Sequence, residues 1–206
     1  MKNIYLLLTT IVWFTSCQDA KDKATESVTN SVIEKTLEQA GVASENIERA
    51  NQNQADVDIT YDGKPLFAED EHFKTIMNTA GKQMMVFSID SEDSKINISF
   101  SGLQNMFDVK PIQGKNEKGK LEPKDANGTV VSITMAKESG FAYTLLEGIA
   151  TISKINQDEV IIEFEGKAGT FLDANTPENW KPISGTIVSK YPVMNFIQVN
   201  KEDIFY

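Results

Sequence analysis

The chain's one histidine, His72, closes the run Glu69-Asp70-Glu71-His72, where neighbouring carboxylates could raise its pKa and orient it as a metal ligand or general base. Successive residues diverge around a helix, so these four cannot converge on one ion, and a solvated helix start is the expected reading. Asp90, Glu92 and Asp93 offer oxygen ligands to calcium. They lack the sixth-position glycine and closing glutamate of an EF-hand loop, so the run is read as a solvated turn. With 30 acidic residues, two carboxylates distant in sequence could meet as the acid and base of glycoside cleavage. No G-x-S-x-G, P-loop or H-E-x-x-H pattern occurs, which removes the usual serine-hydrolase, nucleotide and zincin signatures. The seven methionines, Met84 and Met85 adjacent among them, form no Met-x-x-Met repeat and read as core filler rather than copper ligands. Trp180 follows the loop signal Asn175-Thr176-Pro177-Glu178-Asn179 and could stack on a sugar or partner, but folding back over a sheet edge is the expected role. The sequence therefore assigns no catalytic residue, no metal site and no cofactor.

Cys17 is the single cysteine of the 206 residues, so the chain forms no internal disulfide. Lys2 precedes an apolar run from Ile4 to Phe14 broken only by Thr9 and Thr10. A spanning helix needs about 20 apolar residues, whereas a short apolar run ending in small residues is an export signal. The end of this run, Phe14-Thr15-Ser16-Cys17, resembles the lipobox of bacterial lipoproteins, with Phe14 where that family usually carries leucine. The resemblance implies a signal peptide over residues 1–16, acylation of Cys17 with palmitate-type chains, and a membrane held through that lipid as partner. It implies an exported, lipid-anchored protein of the bacterial cell envelope, with the outer membrane as the expected address, facing the periplasm or the surface. The following Gln18-Asp19-Ala20-Lys21-Asp22-Lys23 loosely resembles the surface-export tags of Bacteroidetes lipoproteins, and also suits a plain solvated tether.

Charge narrows the partners. Thirty acidic against 20 basic residues give −10, and loss of residues 1–16 removes only Lys2, leaving 19 − 30 = −11. Phosphate backbones are repelled, so no nucleic acid is expected. Anionic headgroups repel the chain too, so lipid rather than charge must attach it.

The elements that would position any site follow from hydrophobic period. Val28, Val32, Ile33, Leu37 and Ala40 ahead of Gly41 fit an amphipathic helix, with a second over 43–50; the segment 17–55 is read as a polar tether, packed on the domain or only partly helical. From Val57 the period becomes two, and Asp62-Gly63 is a hairpin signal. A short helix is expected over 69–80, from Phe73, Ile76, Met77 and Ala80 on one face and Gly81 after them. Strands are expected at 85–89, 96–100, 129–136, 141–146, 149–155, 159–165, 181–190 and 195–199, with a turn at 91–94 and a long polar loop over 108–128. One apolar and one polar face per strand describe an all-β, antiparallel domain over 56–206, a β-sandwich or a rolled, barrel-like sheet.

Gly148-Ile149-Ala150-Thr151-Ile152-Ser153-Lys154, then 160–169, Thr170-Phe171 and Ile183-Ser184-Gly185-Thr186-Ile187-Val188, are similar to the C-terminal half of small Bacteroidetes lipoproteins of unknown function. That resemblance implies fold and location alone. The expected function is a non-catalytic domain that binds or supports an envelope protein or glycan. Alternatives are a carrier enclosing a small apolar ligand and a carbohydrate-active enzyme using two acids. A hollow interior lined by Met85, Phe87, Ile98, Val131 and Phe164 would favour the carrier. A filled core with an exposed apolar patch would favour the binding module, and two carboxylates about 5–10 Å apart in a cleft would favour the enzyme.

Overall fold

A computed structural model describes residues 51–118, 128–138 and 140–206. The expected signal segment 1–16, Cys17, the tether up to residue 50 and positions 119–127 of the long polar loop lie outside the described residues.

The described chain is all-β. Its strands are β1 (Gln54–Tyr61), β2 (Lys64–Pro65), β3 (Lys74–Ala80), β4 (Met84–Asp90), β5 (Ser94–Gly102), β6 (Ile112–Asn116), β7 (Thr129–Lys137), β8 (Phe141–Ile155), β9 (Glu159–Gly169), β10 (Lys181–Lys190) and β11 (Val193–Asn195). A short helix, α1 (Lys201–Ile204), follows. All eleven strands belong to one sheet in the order β11-β3-β4-β5-β7-β6-β8-β9-β10-β1-β2. Of the two architectures expected, the rolled sheet is therefore the one formed. Pairing is antiparallel except where β11 runs parallel to β3 and where β6 meets β7 at Lys115 and Val130.

The expected hairpin forms at Asp62-Gly63, where both residues take positive φ (50° and 76°), as a tight turn matched to strand twist demands. β1 and β3 approach one another as the sheet rolls. The Ala55 amide donates to Phe73 O at 2.8 Å, and Asn53 bridges Thr75 reciprocally: its Nδ2 donates to Thr75 O at 2.8 Å and its Oδ1 accepts from Thr75 N at 2.9 Å. Farther along β3, β11 takes over the pairing, and Gly81 N donates to Ile197 O at 2.9 Å. This succession of segments satisfies an edge that would otherwise invite pairing with another chain.

Alternation aims one face of every long strand inward. Phe87, Ile89, Ile96, Ile98, Ile133, Met135, Ile152 and Ile187 have no exposed surface. The five residues that would line a hollow interior, Met85, Phe87, Ile98, Val131 and Phe164, are all buried within one continuous core. Aromatic rings extend that core in a chain: Tyr61 stacks on Tyr143 (4.2 Å between centroids), Tyr143 on Phe141 (5.1 Å), and Phe67 bridges Phe141 (6.4 Å) and Phe73 (5.4 Å). Elsewhere Ile204 of α1 is fully buried, and the Tyr206 hydroxyl accepts from Ile112 N at 2.8 Å while donating to Ile152 O. These contacts bind the C-terminal segment to β6 and β8.

Several local expectations are corrected. Residues 69–80 form no helix: 74–80 are β3, with Thr75, Met77 and Thr79 buried and Lys74, Ile76 and Ala80 exposed. The same apolar residues satisfy a helical period only if threonine counts as polar. Here Thr75 Oγ1 shares a hydrogen bond with Ser189 Oγ at 2.5 Å and Thr79 Oγ1 accepts from Ile197 N at 3.0 Å, so both side chains are buried with their hydroxyls satisfied. The strands expected at 141–146 and 149–155 are one 15-residue strand, β8, with register shifts at 145/147 and 152/154. The 108–128 stretch contains β6, and 195–199 contributes only the end of β11.

Candidate functional site

The outer face of the roll carries a trough. Two rows of residues cross it in register. Asp58 on β1 lies beside Thr186 on β10, then Glu163 on β9, Thr151 on β8 and Gln113 on β6. One pleat along, Thr60, Ser184, Glu165, Ile149 and Lys115 repeat the pattern. A depression of about 460 Å³ lies over the first row and much of the second, and one of about 620 Å³ adjoins it. Gln113 Nε2 donates to Thr151 Oγ1 at 3.1 Å; the other polar groups of the lining are carboxylates and hydroxyls, with Ile149, Phe164 and Gly185 between them. Strand spacing puts Asp58 and Glu163 about 10 Å apart and Glu163 and Glu165 about 7 Å apart along one strand. Asp58, Glu163 and Glu165 are all exposed.

Two glycine contacts shape this concavity. Gly148 and Gly166 face each other across β8 and β9, so close that a Cβ on Gly166 would stand 2.6 Å from the Gly148 Cα. On the inner side Gly185 leaves room for the Phe164 ring: a Cβ there would meet its Cζ at 2.8 Å and Ile59 Cγ1 at 2.7 Å.

Between β9 and β10 two 3₁₀ turns, Phe171–Asp173 and Pro177–Asn179, build a second feature. The Asp173 carboxylate accepts from Thr170 N at 3.0 Å, Thr170 Oγ1 at 2.6 Å and Asn179 Nδ2 at 3.0 Å. These bonds, chiefly those from Thr170, hold its pKa below the usual aspartate range. Trp180 folds back as expected, buried, its Nε1 donating to Asp173 O at 2.7 Å. Beneath, burial first and then Tyr143 and Asp173 push the Tyr61 phenol up. The loop so fixed holds Phe171 and Leu172 outward, each 88% exposed. Leaving such side chains in water forgoes about 1.5–3 kcal/mol apiece relative to burial.

The chain matches no family model, no curated protein and no solved structure.

His72 is exposed beside Asp70 and Glu71 and the turn carrying Glu92 and Asp93. Glu71 is the member of this group with defined partners: Ser91 Oγ donates to it at 2.6 Å and Lys137 Nζ lies 3.7 Å away. Burial would push its carboxyl up, but the Ser91 hydrogen bond and the Lys137 ammonium outweigh that and hold its pKa below the usual range. Its work is structural, joining the segment before β3 to the β4–β5 turn. Among the described residues no three His, Cys, Asp or Glu side chains are grouped to hold a metal ion. Of the adjacent methionines, Met85 is fully buried and Met84 is 42% exposed. Cys17 lies outside the described residues.

Sequence reasoning missed the Phe171-Leu172 tip. The signal was present: Thr170-Phe171-Leu172-Asp173 has the S/T-x-x-D/E spacing of a capping turn, and a turn closed on itself leaves its two middle side chains little route inward. The trough carboxylates are the outward members of the alternation that marked β1 and β9 as strands.

Proposed function

We propose that the chain is a lipoprotein of the bacterial cell envelope, anchored through acylated Cys17 in the outer membrane, whose β-domain is a non-catalytic module that binds or supports an envelope protein or glycan. The anchor is read from the resemblance of Phe14-Thr15-Ser16-Cys17 to a lipobox, and the binding role from the filled interior: with Met85, Phe87, Ile98, Val131 and Phe164 buried in one core, recognition falls to the outer surface. This favours a binding module over a carrier of a small apolar ligand. The trough supplies carboxylates, hydroxyls and an amide, groups suited to hydrogen-bonding sugar hydroxyls or peptide amides.

A photo-crosslinking residue at Thr151, inside the trough, tests the reading in cells. A discrete adduct with one envelope component is expected, and a chain that crosslinks to nothing there while a residue at exposed Glu92 does would contradict it.

A second reading has one observation in its favour. The backbone spacing of Glu163 and Glu165, about 7 Å, matches the separation of the two carboxylates in inverting glycosidases. A general acid, however, needs a desolvated pocket that raises its pKa, and these side chains stand exposed in an open trough. Cleavage of a cell-envelope glycan that is lost in Glu163→Gln would establish the enzyme in place of the binding module.

A further inference from the structure

We propose that Phe171 and Leu172 form an insertion tip that dips into the apolar layer of the membrane to which the chain is tethered, giving the domain a second lipid contact. The proposal rests on the anchored reading of Cys17.

The loop is built to keep the tip outward. Asp173 closes the first 3₁₀ turn onto Thr170 and ties it to Asn179, and Pro177 opens the second turn. Trp180 is buried and bonded to Asp173 O, while Phe171 and Leu172 on the same loop remain 88% exposed. The two side chains are exposed by construction.

Shape selects the occupant. A convex two-residue wedge needs either a matching pocket or a fluid that closes around it, and acyl chains conform to any shape. A symmetric contact between two copies through this tip would bury far less than the roughly 1,200–2,000 Å² of a stable interface. Charge permits the approach. Lys167 and Lys181 stand at the ends of β9 and β10 under the loop and Lys64 on the adjoining hairpin, set against Asp62, Glu147, Asp173 and Glu178. The rim is thus near balance on an anchored chain of net charge 19 − 30 = −11, and suits a zwitterionic surface. Reach is ample, since the 36 residues between Cys17 and Gln54 can span at most about 120 Å. Once the anchor is seated, insertion becomes an intramolecular event at high effective concentration.

The test uses the full chain extracted from membranes, carrying Leu172→Cys labelled with an environment-sensitive dye and reconstituted on phosphatidylcholine–phosphatidylethanolamine vesicles. Acylated Cys17 has no free thiol, so one dye per chain and flotation with the vesicles report the anchor, while the dye's emission reports the tip. Blue-shifted emission, quenched by spin-labelled lipid and weakened by Phe171→Ser, is expected, with a dye at Glu92→Cys remaining aqueous. A dye at position 172 that stays aqueous at lipid excess overturns the tip, whether or not the chain floats. A blue shift that appears only when membrane proteins are supplied also overturns it, in favour of a protein pocket. Two dyes per chain and no flotation would refute the anchor separately.

Discussion

Gly148 and Gly166 face one another across β8 and β9 at a separation no side chain could enter: a Cβ on Gly148 would lie 2.9 Å from the Gly166 Cα. The contact lies beside the register shift at Leu145 and Glu147, and both glycines line the trough. Gly166→Ala forces the backbones apart and is expected to destabilise the domain by about 1–3 kcal/mol. Denaturant midpoints measure it; an unchanged midpoint would mean that this close approach does not hold the two strands together.

Sidedness in β9 gives a sharper contrast. Phe164 packs against Ile59 and Gly185 in the core, while Glu163 points into the trough. Phe164→Ala is expected to cost about 3–5 kcal/mol and Glu163→Ala to stay within about 0.5. Equal losses would place the strand in the wrong register.

What the sequence disclosed and what it hid have the same physical source. Strands with an apolar face of Ile, Val, Phe and Met, as at 85–89, 96–100 and 181–190, are legible because alternation is the direct consequence of one-sided burial. β3 was not, because Thr75 and Thr79 are buried through hydroxyl partners on segments more than 100 residues away, Ser189 and Ile197. The pairing of β11 with β3 is likewise a tertiary contact with no local signature. Of the candidate site, the carboxylates of the trough were visible as outward strand positions, but their alignment in rows depends on register across five strands.

Glu71 gives a pH signature. Its folded pKa is depressed, so the stability it contributes is present above the unfolded carboxylate range and is lost as pH falls through the folded value. Glu71→Gln should cost about 1–2 kcal/mol at pH 7, and the gap between variant and parent should close as both are taken to acid. A gap independent of pH would mean that the side chain acts by packing alone.

Asp173 should control the β9–β10 loop without governing global stability. Asp173→Ala removes the acceptor for Thr170 and Asn179, so Trp180 gains access to water. Emission from Trp180 should shift to the red and become quenchable by acrylamide while the unfolding midpoint hardly moves. Unchanged emission would show that the loop is held by other contacts.

The central claim is an anchored domain, and the intact mass of the membrane-extracted protein tests it most directly. A chain beginning at Cys17 is predicted, heavier than residues 17–206 by a diacylglyceryl group and acyl chain, with Cys17→Ala carrying no acyl group and either left uncleaved at this site or released by another peptidase. A parent protein with an unmodified thiol at Cys17, whose Cys17→Ala variant partitions with membranes just as it does, would contradict it.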